Sequence, residues 1–263
     1  MEAVSRPGGV RLRCQAAGSG PLAVLAPYWS GHPGVFERLL GDLSRDHRVV
    51  AFDARGTGRS TRSGPYDIVT DADDLLAVIE AAGGPAIVLA LANGGNVALM
   101  AAARRADAVR AVVALGTAPF ALRQFGGRDA MISSPAVIEA FVSMVESNYR
   151  AAMRTLLSAT NPQMSEEELA ARVALQVDFC PAEAASGRLR AWIADDPTDR
   201  ARALGERLIV LRGPNVAGPW LPPDPELDEI MARTTPAARS VRLEDGAVSR
   251  PDLTAAAIRE LAG

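Results

Sequence analysis

The segment IVLALANGGNV, residues 87–97, carries the pattern that decides the fold of this chain. It opens with a short run of Val, Ile and Leu, which is typical of a strand buried on both faces of a parallel sheet. The residues at 92–95, ANGG, are small, and the stretch that follows at 96–105 has a helical pattern. The segment therefore predicts a strand that turns tightly at Ala92 and continues directly into a helix.

Short apolar runs of this kind recur along the chain and alternate with helical patterns. Strands are predicted at 22–27, 49–52, 86–90, 109–115, 208–212 and 240–243. Helices are predicted at 35–43, 68–82, 96–105, 226–234 and 252–261. This alternation predicts an α/β fold with a doubly wound, mostly parallel sheet.

One long stretch interrupts the alternation. Between 119 and 203 no strand pattern occurs, and helices are predicted at 135–155 and 166–177. Ser165, with Glu168 three residues later, predicts a capping box for the second of these helices. We therefore expect residues 1–118 and 204–263 to form the α/β core, and 119–203 to form a helical cap, or lid, inserted between two strands.

Several segments, in order and with the expected spacing, resemble the α/β-hydrolase fold superfamily, in its cap-containing type. The turn at 90–95 resembles the family's nucleophile elbow, normally G-x-S-x-G, with Ala90 at the first glycine position and Ala92 at the nucleophile. The run DARGTGRS at 53–60 matches the family's Asp-x-Arg-Gly-x-Gly-x-Ser. In the family this aspartate, here Asp53, is mostly structural and binds turn backbone.

The resemblance implies a catalytic triad, but none of its positions carries a reactive group in this sequence. The nucleophile position holds Ala92, the acid loop reads GPNV and ends at Val216, and the base position after the last strand holds Ala247. Loss of a triad nucleophile or base costs about 10⁶-fold in turnover. We therefore expect that the chain is not an ordinary Ser-His-Asp hydrolase.

Candidate site residues come from the loops that the resemblance places around the elbow. Asn93 would keep a main-chain N–H in the family's oxyanion position. His32, in a loop next to that position, is a candidate general acid or base, with a surface turn as the alternative. The predicted catalytic residues are therefore His32 and Asn93. The predicted substrate-binding residues are Tyr28, Trp29, Ser30, Thr117 and Asn215.

Composition limits the other classes of function. The net charge of −3 gives no general attraction to nucleic acid or anionic membranes, and no signal peptide or membrane span is predicted. Cys14 and Cys180 belong to no ligand cluster, which predicts a reducing, cytoplasmic location without a bound metal. Neither a GxGxxG fingerprint nor a P-loop occurs, so no cofactor is predicted. The other histidine, His47, is predicted to be a solvated surface residue.

Three functions remain open at this point. The first is a non-hydrolytic enzyme of lyase, cyclase or isomerase type, which acts on a small organic molecule under the cap, as in a tailoring step of specialised metabolism. The second is a pseudo-hydrolase that binds a small ligand or a partner protein without catalysis. The third is a hydrolase with a rearranged site, in which His32 activates water. The sequence gives no indication of the oligomeric state.

Overall fold

The computed structural model describes residues 2–116, 135–213, 224–244 and 250–262. Within these residues one sheet has the strand order β1-β2-β4-β3-β5-β6-β7-β8. In chain order the strands are β1 (Ala3–Ser5), β2 (Arg11–Ala17), β3 (Leu22–Leu25), β4 (Arg48–Phe52), β5 (Ala86–Leu91), β6 (Val109–Leu115), β7 (Leu208–Arg212) and β8 (Arg239–Arg242). The pairs from β4 to β8 are parallel, whereas β1–β2 and β2–β4 are antiparallel.

Helices cover the sheet and fill the long connection after β6. They are α1 (Glu37–Leu43), α2 (Ile68–Ala81), α3 (Gly94–Arg104), α4 (Pro135–Ser147), α5 (Tyr149–Thr160), α6 (Glu166–Phe179), α7 (Ala182–Ala194), α8 (Thr198–Leu204), α9 (Asp224–Thr234) and α10 (Pro251–Ala262). The prediction of a doubly wound, mostly parallel α/β sheet with a helical cap is confirmed. No helix in these described ranges has the length and apolar content needed to cross a bilayer.

Strand β5 lies near the middle of the sheet and is buried on both faces. Val88 and Ala90 pack in one apolar cluster, together with residues of α2, α3, α8 and α9. Ile87 and Leu89 pack in a second cluster on the opposite face, together with α1 and α10. Because both faces are covered, every position of the strand must be apolar, and its period-two alternation disappears from the sequence.

The two antiparallel edge strands, β1 and β2, were not predicted. In β2, Leu12 and Cys14 are buried while Arg11 is exposed. This strand therefore alternates, as strands covered on one face do, and lacks the continuous apolar run on which the other strand predictions rested.

The cap consists of α4 to α7, which enclose an apolar cluster of their own. The prediction of one helix over 135–155 is wrong, because Asn148 leaves helical geometry and its side chain accepts a hydrogen bond from the Ala151 N–H. That bond begins a new helix, α5, at Tyr149. Helix α6 begins with the predicted capping box of Ser165 and Glu168.

Two cap-region helices were not predicted, and one of them packs against the core. Helix α7 lies inside the cap, whereas Ala201 and Leu204 of α8 pack in the same cluster as the buried face of α3. The predicted boundaries of the cap, 119 and 203, stay predictions. The first of them lies outside the described residues.

A buried ion pair joins the cap to the core. From α7, the Arg188 guanidinium donates to both carboxylate oxygens of Asp71 in α2, at 2.7 and 2.9 Å, and to the Arg55 carbonyl at 2.8 Å. Both side chains of the pair are 2 % exposed. Beside it, Arg55 donates twice to the buried carboxylate of Asp74 at 2.7 Å. Burying a charge without its partner costs several kcal/mol of stability, so this pair holds the cap in one position on the core.

Removal of one partner should therefore destabilise the protein strongly. We expect Arg188→Met to lower the free energy of unfolding by about 3–5 kcal/mol, because Asp71 would remain buried and unpaired. Urea denaturation measures the change.

The matched control is Arg190→Met, two residues away on α7. Arg190 pairs with Glu146 at an exposed site, so its loss should cost less than about 1 kcal/mol. The double variant Asp71→Leu/Arg188→Met should recover much of the loss of Arg188→Met. If Arg188→Met and Arg190→Met lowered the free energy of unfolding equally, the buried pair would not hold the cap.

Candidate functional site

The turn between β5 and α3 has the geometry of a strained elbow. Only Ala92 and Asn93 separate the two elements, and Ala92 adopts φ +49°. A residue with a side chain pays about 1–2 kcal/mol for this left-handed conformation. At Gly94 the chain passes close to the loop after β3, where an added Cβ would lie 3.1 Å from the Pro27 oxygen. The predicted tight turn is present, and a methyl group stands where a reacting side chain would project.

The side chain of Asn93 folds back onto the loop after β3. It is fully buried, and its Oδ1 accepts a hydrogen bond from the main-chain N–H of Trp29. The N–H fixes the orientation of the carboxamide, because only the oxygen accepts. The Nδ2 atom, also buried, has no hydrogen-bond partner in the described part of the chain. Among the described residues, Asn93 therefore has a satisfied acceptor and an unsatisfied donor.

This hydrogen bond changes what the elbow can do chemically. In an α/β-hydrolase fold, the oxyanion hole combines the N–H after the nucleophile with an N–H from the loop after β3. Here the N–H of Trp29 is already engaged by Asn93. The main-chain N–H of Asn93 itself makes no hydrogen bond to any residue that the structure describes. One of the two main-chain donors is thus occupied by the protein.

Trp29 and Ser30, both predicted to bind substrate, lie in the core of the cap. The Trp29 indole donates to the Ala185 carbonyl at 2.7 Å and packs edge-on against Phe141, with centroids 5.6 Å apart. The Ser30 hydroxyl, which is 1 % exposed, shares a hydrogen bond with the Tyr149 hydroxyl. These contacts give both residues an anchoring role, and the sequence offered no signal for their cap partners because those partners are more than 100 residues away.

Tyr28 lines a narrow cavity of about 10 Å³, roughly the volume that one water molecule needs. Pro33, Thr57 and Phe179 also line it, so its wall is largely apolar. The Tyr28 hydroxyl donates to the His32 carbonyl at 3.0 Å, and burial raises its pKa. Tyr28 is therefore a neutral residue at physiological pH and belongs to the wall of the crevice between sheet and cap.

The side chain of His32 stabilises the loop in which it lies. Its Nδ1 accepts from the Gly34 N–H at 2.9 Å and caps the short helix Pro33–Phe36, while its ring packs edge-on against Phe179. Burial lowers the pKa of His32, and the nearby Asp53 carboxylate opposes that shift. A neutral ring whose Nδ1 accepts carries its proton on Nε2 and presents a donor there. This arrangement does not suit a general base that activates water.

The remaining sequence-based assignments have mixed outcomes. Asp53 accepts from the Arg59 N–H at 2.9 Å, as its predicted structural role requires. The surface prediction for His47 is wrong, because its side chain is buried and its Nδ1 contacts Asp46 at 2.7 Å. Burial raises the pKa of the Cys180 thiol to about 11, which keeps it protonated. Four predicted positions lie outside the described residues and stay predictions: Thr117, Asn215, Val216 and Ala247.

The chain belongs to the α/β hydrolase fold family, whose family model matches residues 24–175. Over 118 residues it is 36 % identical to the polyketide synthase ThaQ of Burkholderia thailandensis, a match that covers 44 % of this chain and 6 % of that protein. Over 115 residues it is 34 % identical to 2-(acetamidomethylene)succinate hydrolase of Mesorhizobium japonicum, with 43 % and 41 % covered. The matches thus span less than half the length of either curated relative.

Solved structures share the architecture at low sequence identity. The esterase EaEST of Exiguobacterium antarcticum superposes with a TM-score of 0.84 at 19 % identity, and 99 % of each chain is covered. A bromoperoxidase of Bacillus anthracis gives 0.79 at 17 % identity, with 98 % of this chain and 96 % of that chain covered. At these identities the likeness shows the fold alone.

The strain at Ala92 gives a direct test of the elbow. Glycine adopts φ +49° without a steric penalty, so Ala92→Gly should raise the free energy of unfolding by up to about 1 kcal/mol. In the middle of α6, the same substitution at the exposed Ala171 should lower it by about 1 kcal/mol. Chemical denaturation of both variants measures the difference. A loss of stability at both positions would contradict a left-handed Ala92.

Proposed function

We propose that this chain is a non-hydrolytic enzyme of the α/β hydrolase fold that acts on a small organic molecule of specialised metabolism. The observation that carries the proposal is the elbow, where Ala92 has no nucleophilic atom and Asn93 occupies the N–H of Trp29. An acyl-enzyme route needs a nucleophile, and here none stands at the elbow. Eliminations, cyclisations and rearrangements need positioning, which alone can lower a barrier by about 7–11 kcal/mol in good cases.

The expected binding place is the crevice between the sheet and the cap. Open α/β sheets bind ligands at the carboxyl ends of their strands, where Ala92 and the loop after β3 meet. The likeness to part of a polyketide synthase supports a substrate of polyketide type. Proton transfer in such a reaction would fall to the substrate, to water or to groups beyond the elbow, since neither Ala92 nor the Nδ1 of His32 offers a base.

Two observations favour a non-catalytic pseudo-hydrolase as the second candidate. Trp29 and Ser30 are anchored in the cap, and the cavity beside Tyr28 is only about 10 Å³. A protein that uses the fold only to bind a ligand or a partner would tolerate so narrow a cavity at this place. Hydrolysis, the activity named for one relative, is the third candidate. A hydrolase with a rearranged site finds less support because His32 presents a donor instead of a base.

Ester hydrolysis tests the absence of acyl-enzyme chemistry. The wild-type protein should give no turnover of p-nitrophenyl acetate above buffer, and Ala92→Ser should give no burst of p-nitrophenol, because a serine without a base is a poor nucleophile. Stopped-flow absorbance, with an active esterase of the same fold run alongside, measures both. Saturable hydrolysis by the wild type, or a stoichiometric burst in Ala92→Ser, would contradict the proposal.

The reaction class can be read from the mass of the product. Extracts of a strain that lacks this gene should accumulate a precursor, which the purified protein converts either without change of mass or with loss of one water. Cyclisation and rearrangement conserve mass, whereas elimination expels a small molecule. Mass spectrometry before and after incubation distinguishes the candidates. Two fragments whose masses sum to the precursor plus one water, or a ring-opened product heavier by one water, would identify a hydrolase, and retention of the unaltered precursor in a stable complex would identify a binding protein.

A further inference from the structure

The carboxamide of Asn93 carries a donor that no residue in the described part of the chain accepts from. Its Oδ1 is taken by the N–H of Trp29, and its Nδ2 is buried without a partner among the described residues. The whole residue has no exposed surface. Buried polar groups in folded proteins are hydrogen-bonded in the great majority of cases. The unsatisfied group follows Ala92 directly, so it belongs to the elbow.

The hydrogen bond from Trp29 prepares this group to donate. A hydrogen bond accepted at the oxygen of an amide polarises it and strengthens the donors on its nitrogen. The same bond removes one rotational freedom, because the carboxamide cannot turn without breaking it. Asn93 thus holds a fixed, polarised N–H pair at the elbow, beside the loop after β3.

We infer that Asn93 Nδ2 donates a hydrogen bond to a carbonyl oxygen of the bound molecule. It does so in place of the main-chain N–H of Trp29, which already donates to the Asn93 side chain. A ketone, ester or thioester oxygen is a suitable acceptor, and a neutral donor stabilises negative charge that develops there without transferring its proton. The inference deepens the proposed function and rests on it for the presence of an organic ligand at the elbow.

Nuclear magnetic resonance on the wild-type protein tests this directly. The side-chain amide signals of Asn93 are assigned by their loss in Asn93→Leu. The probes are butanone, 2-heptanone and 2-nonanone, each paired with the alkene in which CH₂ replaces the carbonyl oxygen: 2-methyl-1-butene, 2-methyl-1-heptene and 2-methyl-1-nonene. At least one ketone should move the Asn93 amide protons downfield in a saturable manner, while its alkene should not.

A conservative variant gives a second readout. In its ionised form Asn93→Asp keeps an oxygen for the N–H of Trp29 but has no proton to donate, so the affinity for the ketone should fall at least about tenfold at about pH 9, where even a buried carboxyl ionises. Asn148→Asp is the matched control, because it makes the same change in an exposed residue that serves only as an acceptor for the Ala151 N–H. Its affinity for the ketone should equal that of the wild type.

The inference is overturned if no ketone moves the Asn93 signals more than its alkene, which would mean that the Nδ2 atom binds water only. It is also overturned if Asn93→Asp folds and binds the ketone as tightly as the wild type. Should that variant fail to fold, the wild-type titration still decides. Ester hydrolysis by the wild type would defeat the proposed function yet leave the ketone shift intact, so the two failures are distinguishable.

Discussion

The hydrogen bond from the Trp29 N–H to the Asn93 carboxamide is the interaction on which the rest of the site depends. It ties the elbow after β5 to the loop after β3, and it does so at the position where an active relative of this fold would need a free donor. The left-handed conformation of Ala92 reverses the chain between β5 and α3, and Gly94 lets the elbow approach the loop after β3 closely. Together these features describe an elbow with a left-handed turn and with an alanine at the tip.

The same loop also carries the cap. Beyond its N–H, Trp29 places its indole among the cap helices, and Ser30 shares a hydrogen bond with Tyr149. On the same helix as the Ala185 carbonyl that Trp29 contacts, the buried pair of Arg188 and Asp71 joins α7 to α2. The cap is thus held on the core by the loop after β3 and by an ion pair. Because Trp29 contacts both Asn93 and the cap, a rearrangement at Asn93 would also move the contact between Trp29 and the cap.

Sequence alone predicted the fold well and the site only in part. Buried strands such as β5 are recognisable from continuous apolar runs, and the small residues around Ala92 indicate the turn. The strand and the turn are therefore both encoded by local sequence. The edge strand β2 alternates, and the break at Asn148 depends on one side-chain cap; both escaped prediction. The contacts that join the elbow to the loop after β3 (Asn93 to Trp29) and the cap to the core (Arg188 to Asp71) link residues distant in sequence, and no local pattern encodes them.

Hydrogen exchange of the Trp29 main-chain amide tests whether Asn93 occupies this donor. The hydrogen bond predicts slow exchange in the wild type and in Asn93→Asp, which keeps the acceptor. It predicts exchange at least about tenfold faster in Asn93→Leu, compared under conditions that match the free energies of unfolding of the three proteins. Equal protection of that amide in all three proteins would contradict the claim.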